Sequence, residues 1–159
     1  MDKIKYRRAL FSERDDLLAL NQQGFEYDLP SDSTLNMNWT STKEAQDYFD
    51  DRISSDDKVA IVAEVDQTLI GFIVGAVLKH DLCRTTKKMA EVDIMFVAES
   101  YRHQSVGGSL MDEFIKWAKK QDCERITVTA YATNSVAVSF YQKKEFNDYA
   151  LILERKINA

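Results

Sequence analysis

Between Met95 and Met111 the chain reads Met-Phe-Val-Ala-Glu-Ser-Tyr-Arg-His-Gln-Ser-Val-Gly-Gly-Ser-Leu-Met: an apolar strand, a turn, paired glycines and the start of an amphipathic helix. No other stretch restricts the fold as much. Val106, Leu110, Phe114 and Trp117 or Ala118 recur at helical spacing, so the helix lays one apolar face on a sheet and its first turn has a rigid base. The N–H groups of that turn have no intrahelical partners, and the macrodipole adds roughly half a positive charge there. Gly107 and Gly108 let a ligand approach the main chain because no Cβ stands in the way. Strand, turn and helix together form an anion site of the kind that takes phosphates.

The rest of the chain places this unit in a mixed sheet. Ile4 to Leu10 reads as a strand, after which Ser12 caps a helix to about Glu26 that carries Leu17, Leu18, Leu20 and Phe25. A loop from Tyr27 to Thr40 follows, and Ser41 with Glu44 forms a capping box for a second helix to about Ile53. Lys58 to Val65 and Thr68 to Leu78, separated by Asp66 and Gln67, predict an antiparallel hairpin, continued by a strand over Met89 to Val97. After the glycine-turn helix, which ends near Gln121, come a strand over Arg125 to Ala130, a short helix from Asn134 to about Lys143, and a closing strand over Phe146 to Ile157. The order β-α-α-β-β-β-α-β-α-β predicts an α/β fold with a mixed, mostly antiparallel sheet flanked by helices. The strands flanking the Gly107 helix run parallel in this scheme. If they splay, a cleft opens beside the helix N-terminus, near the carboxyl ends of the strands where α/β folds favour ligands.

Composition narrows the function. With 159 residues, 45% of them hydrophobic, and no linker-like stretch, residues 1–159 read as a single domain. The start lacks an apolar leader, and no run approaches the roughly 18 apolar residues of a membrane span, so a soluble, cytoplasmic protein is expected, with no membrane partner. A net charge of −5 argues against nucleic acid, which requires a basic patch. Cys83 and Cys123 lie far apart without zinc-ligand spacing, so structural thiols and no metal are expected. The P-loop and dinucleotide-binding glycine patterns are both absent.

Arg102-His103-Gln104-Ser105-Val106-Gly107, with Val97-Ala98-Glu99-Ser100-Tyr101 before it and Ser109-Leu110-Met111 after it, resembles the phosphate loop of the GNAT superfamily of acyl-CoA-dependent N-acetyltransferases. Asn134, Ala137, Phe140 and Tyr141, followed by Lys144-Glu145-Phe146, resemble the family's next helix, and the similarity extends over nearly the whole chain. Two positions depart from the pattern: Ser105 stands where the first loop glycine is usual, and Glu145 where a glycine usually precedes the Phe.

The resemblance implies acetyl transfer from acetyl-CoA, as co-substrate, to a primary amine of a small molecule or peptide. Backbone amides of Arg102, His103, Gln104, Ser105, Val106, Gly107, Gly108 and Ser109 would hold the pyrophosphate. Main-chain groups of Phe96 and Val97 would pair with the pantetheine arm. Asn134 is either a cofactor contact or a plain helix cap. An alkylamine of pKa about 10.4 is mostly cationic at pH 7, so its neutral form lies roughly 4.6 kcal/mol uphill and calls for a base or desolvation. The leaving thiolate, of pKa about 8.5, is helped by an acid protonated at pH 7, which a tyrosine is. Tyr141 matches the family's general acid, its alternative being a core aromatic beside Phe140. Asp93 matches an acidic position used for the base, and Glu91 shares its strand face; the alternative for Asp93 is a salt bridge or a solvated strand end. His80 and His103 read as surface and loop residues, not bases.

The two N-terminal helices and their loop usually shape the acceptor site in such proteins, and there Glu26, Tyr27, Asp28 and Trp39 suit a cationic amine, the alternative being a solvated acidic surface. A non-catalytic acyl-CoA-binding or regulatory module is the alternative function. Sheet edges in such an architecture can pair between copies, so a homodimer stays open.

Overall fold

The computed structural model describes residues 3–157. The chain forms two compact units, one through Thr129 and one from Ala130. In the first unit, β1 (Lys5–Arg8), β2 (Lys58–Val65), β3 (Thr68–Val77), β4 (Met89–Val97) and β5 (Arg125–Val128) form one sheet in the order β1-β2-β3-β4-β5. The first four strands are antiparallel and β5 lies parallel to β4. The expected α/β fold with a mixed, mostly antiparallel sheet is therefore present. Asp66 and Gln67 form the β2–β3 turn with both residues at positive φ, which suits the twist of a two-residue hairpin.

Two helices cover one face: α1 (Arg14–Asp28) and α2 (Lys43–Ser54). Leu17, Leu18 and Leu20 of α1 and Ala45 and Phe49 of α2 pack against Ala60, Val62, Phe72, Val74 and Phe96. The opposite face takes α3 (Val106–Lys120), which crosses from β4 to β5 and buries Val106, Leu110, Met111, Phe114, Trp117 and Ala118. β3 passes under α3 at Gly75, where an added Cβ would lie 2.1 Å from the Glu91 carbonyl oxygen and 2.7 Å from the Phe114 ring.

Two helix starts differ from expectation. The first begins as a 3-10 turn, Phe11–Glu13, with Leu10 and not Ser12 at the cap. Glu13 organises that turn: its carboxylate accepts from the Leu10 N–H at 2.7 Å and from two Arg7 nitrogens at 2.6 and 2.9 Å. Thr42, one residue beyond the expected Ser41, caps α2 by accepting from the Ala45 N–H at 3.2 Å. Ser41 is instead the last residue of a 3-10 turn, Trp39–Ser41.

The second unit contains α4 (Ser135–Lys143), capped by Asn134 as its position implied. The strand expected over Phe146 to Ile157 is absent among the described residues. Leu151, Ile152, Leu153 and Ile157 are exposed. Strand preference is realised only where neighbouring strands pair, and among the described residues no strand pairs with this segment.

Candidate functional site

The site begins where the sheet opens. β5 pairs with Met89, Ala90, Glu91 and Val92 and ends there, so among the described residues no strand pairs with Asp93 to Val97 on that side of β4. The pairing stops because β5 itself ends at Val128. On the other side the Ala98 N–H donates to the Ile70 carbonyl at 2.9 Å, and Val97 lies opposite Gly71, Phe96 opposite Phe72 and Met95 opposite Ile73. In an antiparallel ladder alternate residues turn both backbone groups to the same neighbour, so Phe96 turns its groups to β3 while Met95 and Val97 turn theirs to the open side. This corrects the expectation for Phe96, whose main chain is already engaged; the groups facing the open side are those of Met95 and Val97, of which the Val97 carbonyl accepts from Arg102.

Beyond β4 a 3-10 turn, Glu99–Tyr101, leads into the loop and α3. His103 and Ser105 have φ of 61° and 64°. The left-handed region costs a non-glycine residue roughly 1–2 kcal/mol, which gives a physical reason for a glycine at the Ser105 position. Ser105 stands at the helix N-cap without a side-chain capping bond, and the first turn contains no acidic residue. α2 is the opposite, with a Thr42 cap and Glu44 in its first turn. The N–H groups of Val106, Gly107 and Gly108 precede the first helical bond, which runs from the Ser109 N–H to the Ser105 carbonyl at 3.0 Å. An uncapped, acid-free helix N-terminus beside an unpaired strand segment fits a ligand that joins an extended arm to a phosphate.

The loop side chains point elsewhere. Gln104 donates to the Ser100 carbonyl at 2.9 Å, and His103 is exposed. Arg102 donates through Nε to the Val97 carbonyl at 3.0 Å, and its guanidinium carbon lies 4.3 Å from the Tyr27 ring centroid and 5.4 Å from that of Phe96.

Two carboxylates of β4 differ sharply in surroundings. The register shifts between Val74 and Gly75, whose partners are Ile94 and Val92, so Asp93 is an extra residue that bulges from β4. Its Oδ2 accepts from Tyr48 Oη at 3.0 Å, Arg52 Nε at 3.1 Å and Arg52 Nη2 at 2.9 Å. Arg52 also lies over the Tyr48 ring, 3.7 Å from its centroid. Burial, then Asp93, push the Tyr48 hydroxyl far above its usual range. Glu91 lies opposite Ala76, on the same face as Val74, towards the α1–α2 layer. Burial raises its carboxyl above the ordinary range, and the Asp93 charge adds to the rise. Sequence reasoning singled out Asp93, but neither Tyr48 nor Arg52, which lie more than forty residues away and leave no local signal.

Of the expected acceptor residues, Glu26, Tyr27 and Asp28 share the last turn of α1, and Glu26 is exposed. Trp39 stacks on Phe25 at 5.8 Å and meets Tyr48 edge-on at 5.7 Å, so an aromatic row connects α1 to Arg52 and Asp93. Among the described residues no group of three or more His, Cys, Asp or Glu is placed to hold a metal ion, and no helix is long and apolar enough to cross a membrane.

In the second unit the Asn134 side chain accepts from the Ala137 N–H at 3.1 Å. The C-terminus of α4 closes with the Phe146 N–H on the Tyr141 carbonyl at 3.0 Å and the Glu145 N–H on the Gln142 carbonyl at 3.1 Å, which is a Schellman motif. Its left-handed residue is Glu145, at φ 67°, so the second departure from the pattern also falls where glycine is favoured. The motif folds Phe146 back onto Tyr141, with ring centroids 5.6 Å apart, while Phe140 packs on Tyr141 at 5.2 Å.

The profile of the Acetyltransferase (GNAT) family matches residues 24–146. A streptothricin acetyltransferase of Escherichia coli is 28% identical over 127 residues, which span 80% of this chain and 64% of that protein. Among solved structures, a mutant of the BH1408 protein from Bacillus halodurans superposes with a TM-score of 0.85 at 16% identity, covering 97% of this chain and 99% of the other. The aminoglycoside acetyltransferase AAC(6')-Iy, in complex with a bisubstrate analog built on CoA, has a TM-score of 0.76 at 15% identity, covering 97% and 98%. With the match reaching from α1 to the end of α4, and with the open strand and uncapped helix in place, the chain belongs to the GNAT acetyltransferase family.

Proposed function

We propose that this enzyme transfers the acetyl group of acetyl-CoA to a primary amine on a cationic small molecule. The observation that carries the reading is the junction of the unpaired Met95–Val97 edge with the uncapped N-terminus of α3. The arm of the cofactor adds as a strand to Met95 and Val97, and the pyrophosphate takes the N–H groups of Val106, Gly107 and Gly108. Both contacts use the main chain, so they tolerate Ser105. Asn134 caps α4 and in this reading contacts the cofactor as well.

The amine must lose a proton before it attacks the thioester carbonyl. Asp93 is poorly placed to serve as the base, because its Oδ2 is already occupied by the Tyr48 hydroxyl and two Arg52 nitrogens. Glu91 is better suited: its raised carboxyl holds a proton more tightly, and a base gains efficiency as its pKa approaches the working pH. When the C–S bond breaks, the thiolate takes a proton from Tyr141. Glu26, Asp28 and Trp39 supply charge and aromatic surface for a cationic acceptor, in keeping with relatives named for streptothricin and aminoglycosides.

Replacing Glu91 by Gln is expected to move activity and stability in opposite directions. Turnover at pH 7 falls about a hundredfold and recovers at a higher pH where the amine loses its proton unaided. The raised pKa means the folded state binds the proton more tightly than the unfolded one, so ionised Glu91 opposes folding above that pKa. The variant therefore melts higher than wild type at pH 7, and the difference shrinks as the pH falls through the carboxylate range. A pH series of kcat and Tm checks both.

The reading is tested by release of free thiol from acetyl-CoA across a panel of polyamines, aminoglycosides and lysine-like amines. Acetyl-CoA at about 100 times its Kd should add roughly 2.7 kcal/mol to stability, about 5–10 °C in a chain of this size, while ATP and NAD leave Tm unchanged. A shift without thiol release on any amine, protein or peptide would favour a non-catalytic acyl-CoA-binding module. No shift would overturn the cofactor assignment.

A further inference from the structure

We propose that Tyr27, grouped by sequence with the acceptor residues, is instead a positioning residue for the phosphate loop and acts through Arg102; the inference rests on the acetyl-CoA reading above. Arg102 is the residue at which the chain turns from the 3-10 turn into the loop. Its side chain does not extend beyond the loop but folds back, with Nε 3.0 Å from the Val97 carbonyl and the guanidinium over the Tyr27 ring at 4.3 Å and the Phe96 ring at 5.4 Å. A planar cation against two aromatic rings is held by the ring quadrupoles, and an ammonium could not reproduce the fit.

Two consequences give the contact a role at the loop. The Val97 carbonyl lies on the open side of β4, so Arg102 occupies the last acceptor along that edge and marks where a strand-like arm must give way to the pyrophosphate. The ring that holds Arg102 belongs to the last turn of α1, a helix anchored in the core by Leu17, Leu18 and Leu20. The loop beyond Arg102 carries His103 and Ser105 in left-handed backbone, which relaxes unless its start is fixed. Tyr27 thus fastens a strained loop to a rigid helix.

The experiment is a titration of acetyl-CoA into wild type, Tyr27→Leu, Tyr27→Phe, Arg102→Gln and the Tyr27→Leu/Arg102→Gln double variant, with acceptor KM measured at saturating acetyl-CoA. An exposed cation–π contact of about 0.5–1 kcal/mol corresponds to a two- to fivefold change, so Tyr27→Leu should raise the acetyl-CoA Kd by that factor. Tyr27→Phe, which keeps the ring, should restore it. The Leu substitution should add nothing once Arg102 is Gln, and acceptor KM should not follow Tyr27. A raised acceptor KM with unchanged Kd, or an equal loss in the Arg102→Gln background, would overturn the proposal and return Tyr27 to the acceptor surface. If wild type binds no acetyl-CoA, the cofactor reading and the loop's role fall together. The Tyr27–Arg102 contact is then judged separately by whether the Tm changes of the same variants are additive.

Discussion

Tyr141→Phe is expected to lower kcat about 10³-fold, within the range for loss of a general acid, while leaving the acetyl-CoA Kd close to wild type. The substitution removes one hydroxyl and keeps the ring. That ring is held by Phe140 at 5.2 Å and by Phe146 at 5.6 Å, through apolar contacts that Phe retains. The Schellman turn that brings Phe146 into place uses backbone groups of Tyr141, Gln142, Glu145 and Phe146, so it does not depend on the hydroxyl either. On the proposed mechanism the substitution removes the proton for the departing thiolate. A thiol of pKa about 8.5 leaves poorly as the bare anion at neutral pH, and tyrosine, at about 10, is a protonated donor there. Single-turnover thiol release against an equilibrium Kd separates the two effects. A loss under tenfold would assign Tyr141 to packing alone.

Gly75→Ala is expected to destabilise the first unit by about 3 kcal/mol, a drop in Tm of about 6–12 °C. The new Cβ would fall 2.1 Å from the carbonyl oxygen of Glu91 and within 2.8 Å of two carbons of the Phe114 ring. Neither obstacle yields easily. The carbonyl is part of the strand opposite, where Ala76 faces Glu91, and Phe114 is fully buried beneath α3. Gly24→Ala is the control: the nearest atoms to its Cβ belong to the Phe96 side chain, at 3.3 Å and beyond, and the exchange gains helix propensity of up to about 1 kcal/mol. Urea unfolding of both variants gives the comparison. A cost at Gly75 no larger than at Gly24 would mean that the bulged register of β4 is wrong.

Much of this architecture is written in short-range pattern. The bounds of β2 and β4 follow from their apolar runs, and the Asp66-Gln67 turn follows from the spacing between β2 and β3. α3 follows from the recurrence of Val106, Leu110 and Phe114. What the pattern does not carry is anything decided by one residue of register or by a distant partner. The bulge at Asp93 adds a single residue, changes no periodicity strongly, and yet determines which carboxylate is tied down by Tyr48 and Arg52. The contact of Arg102 with Tyr27 joins residues that share no local motif. In the sequence Ser105 is only a departure from the usual loop glycine, whereas its left-handed backbone supplies the physical reason for a glycine there. The strand expected at the C-terminal end failed because β preference alone provides no neighbour.

Asp66, Gln67, His103, Ser105, Asp122 and Glu145 adopt positive φ without being glycine, and none of the described glycines does. For heat adaptation this is an unused margin. A left-handed non-glycine costs roughly 1–2 kcal/mol and glycine's extra chain entropy returns roughly 0.5–1, so each exchange nets from about zero to about 1.5 kcal/mol. Gains at well-separated turns add, and none requires repacking the core. A lineage moving to hotter surroundings could therefore gain several degrees by conceding glycines at the turns between its elements, leaving the carboxylates of β4 and the row of aromatics from Phe25 to Tyr48 untouched.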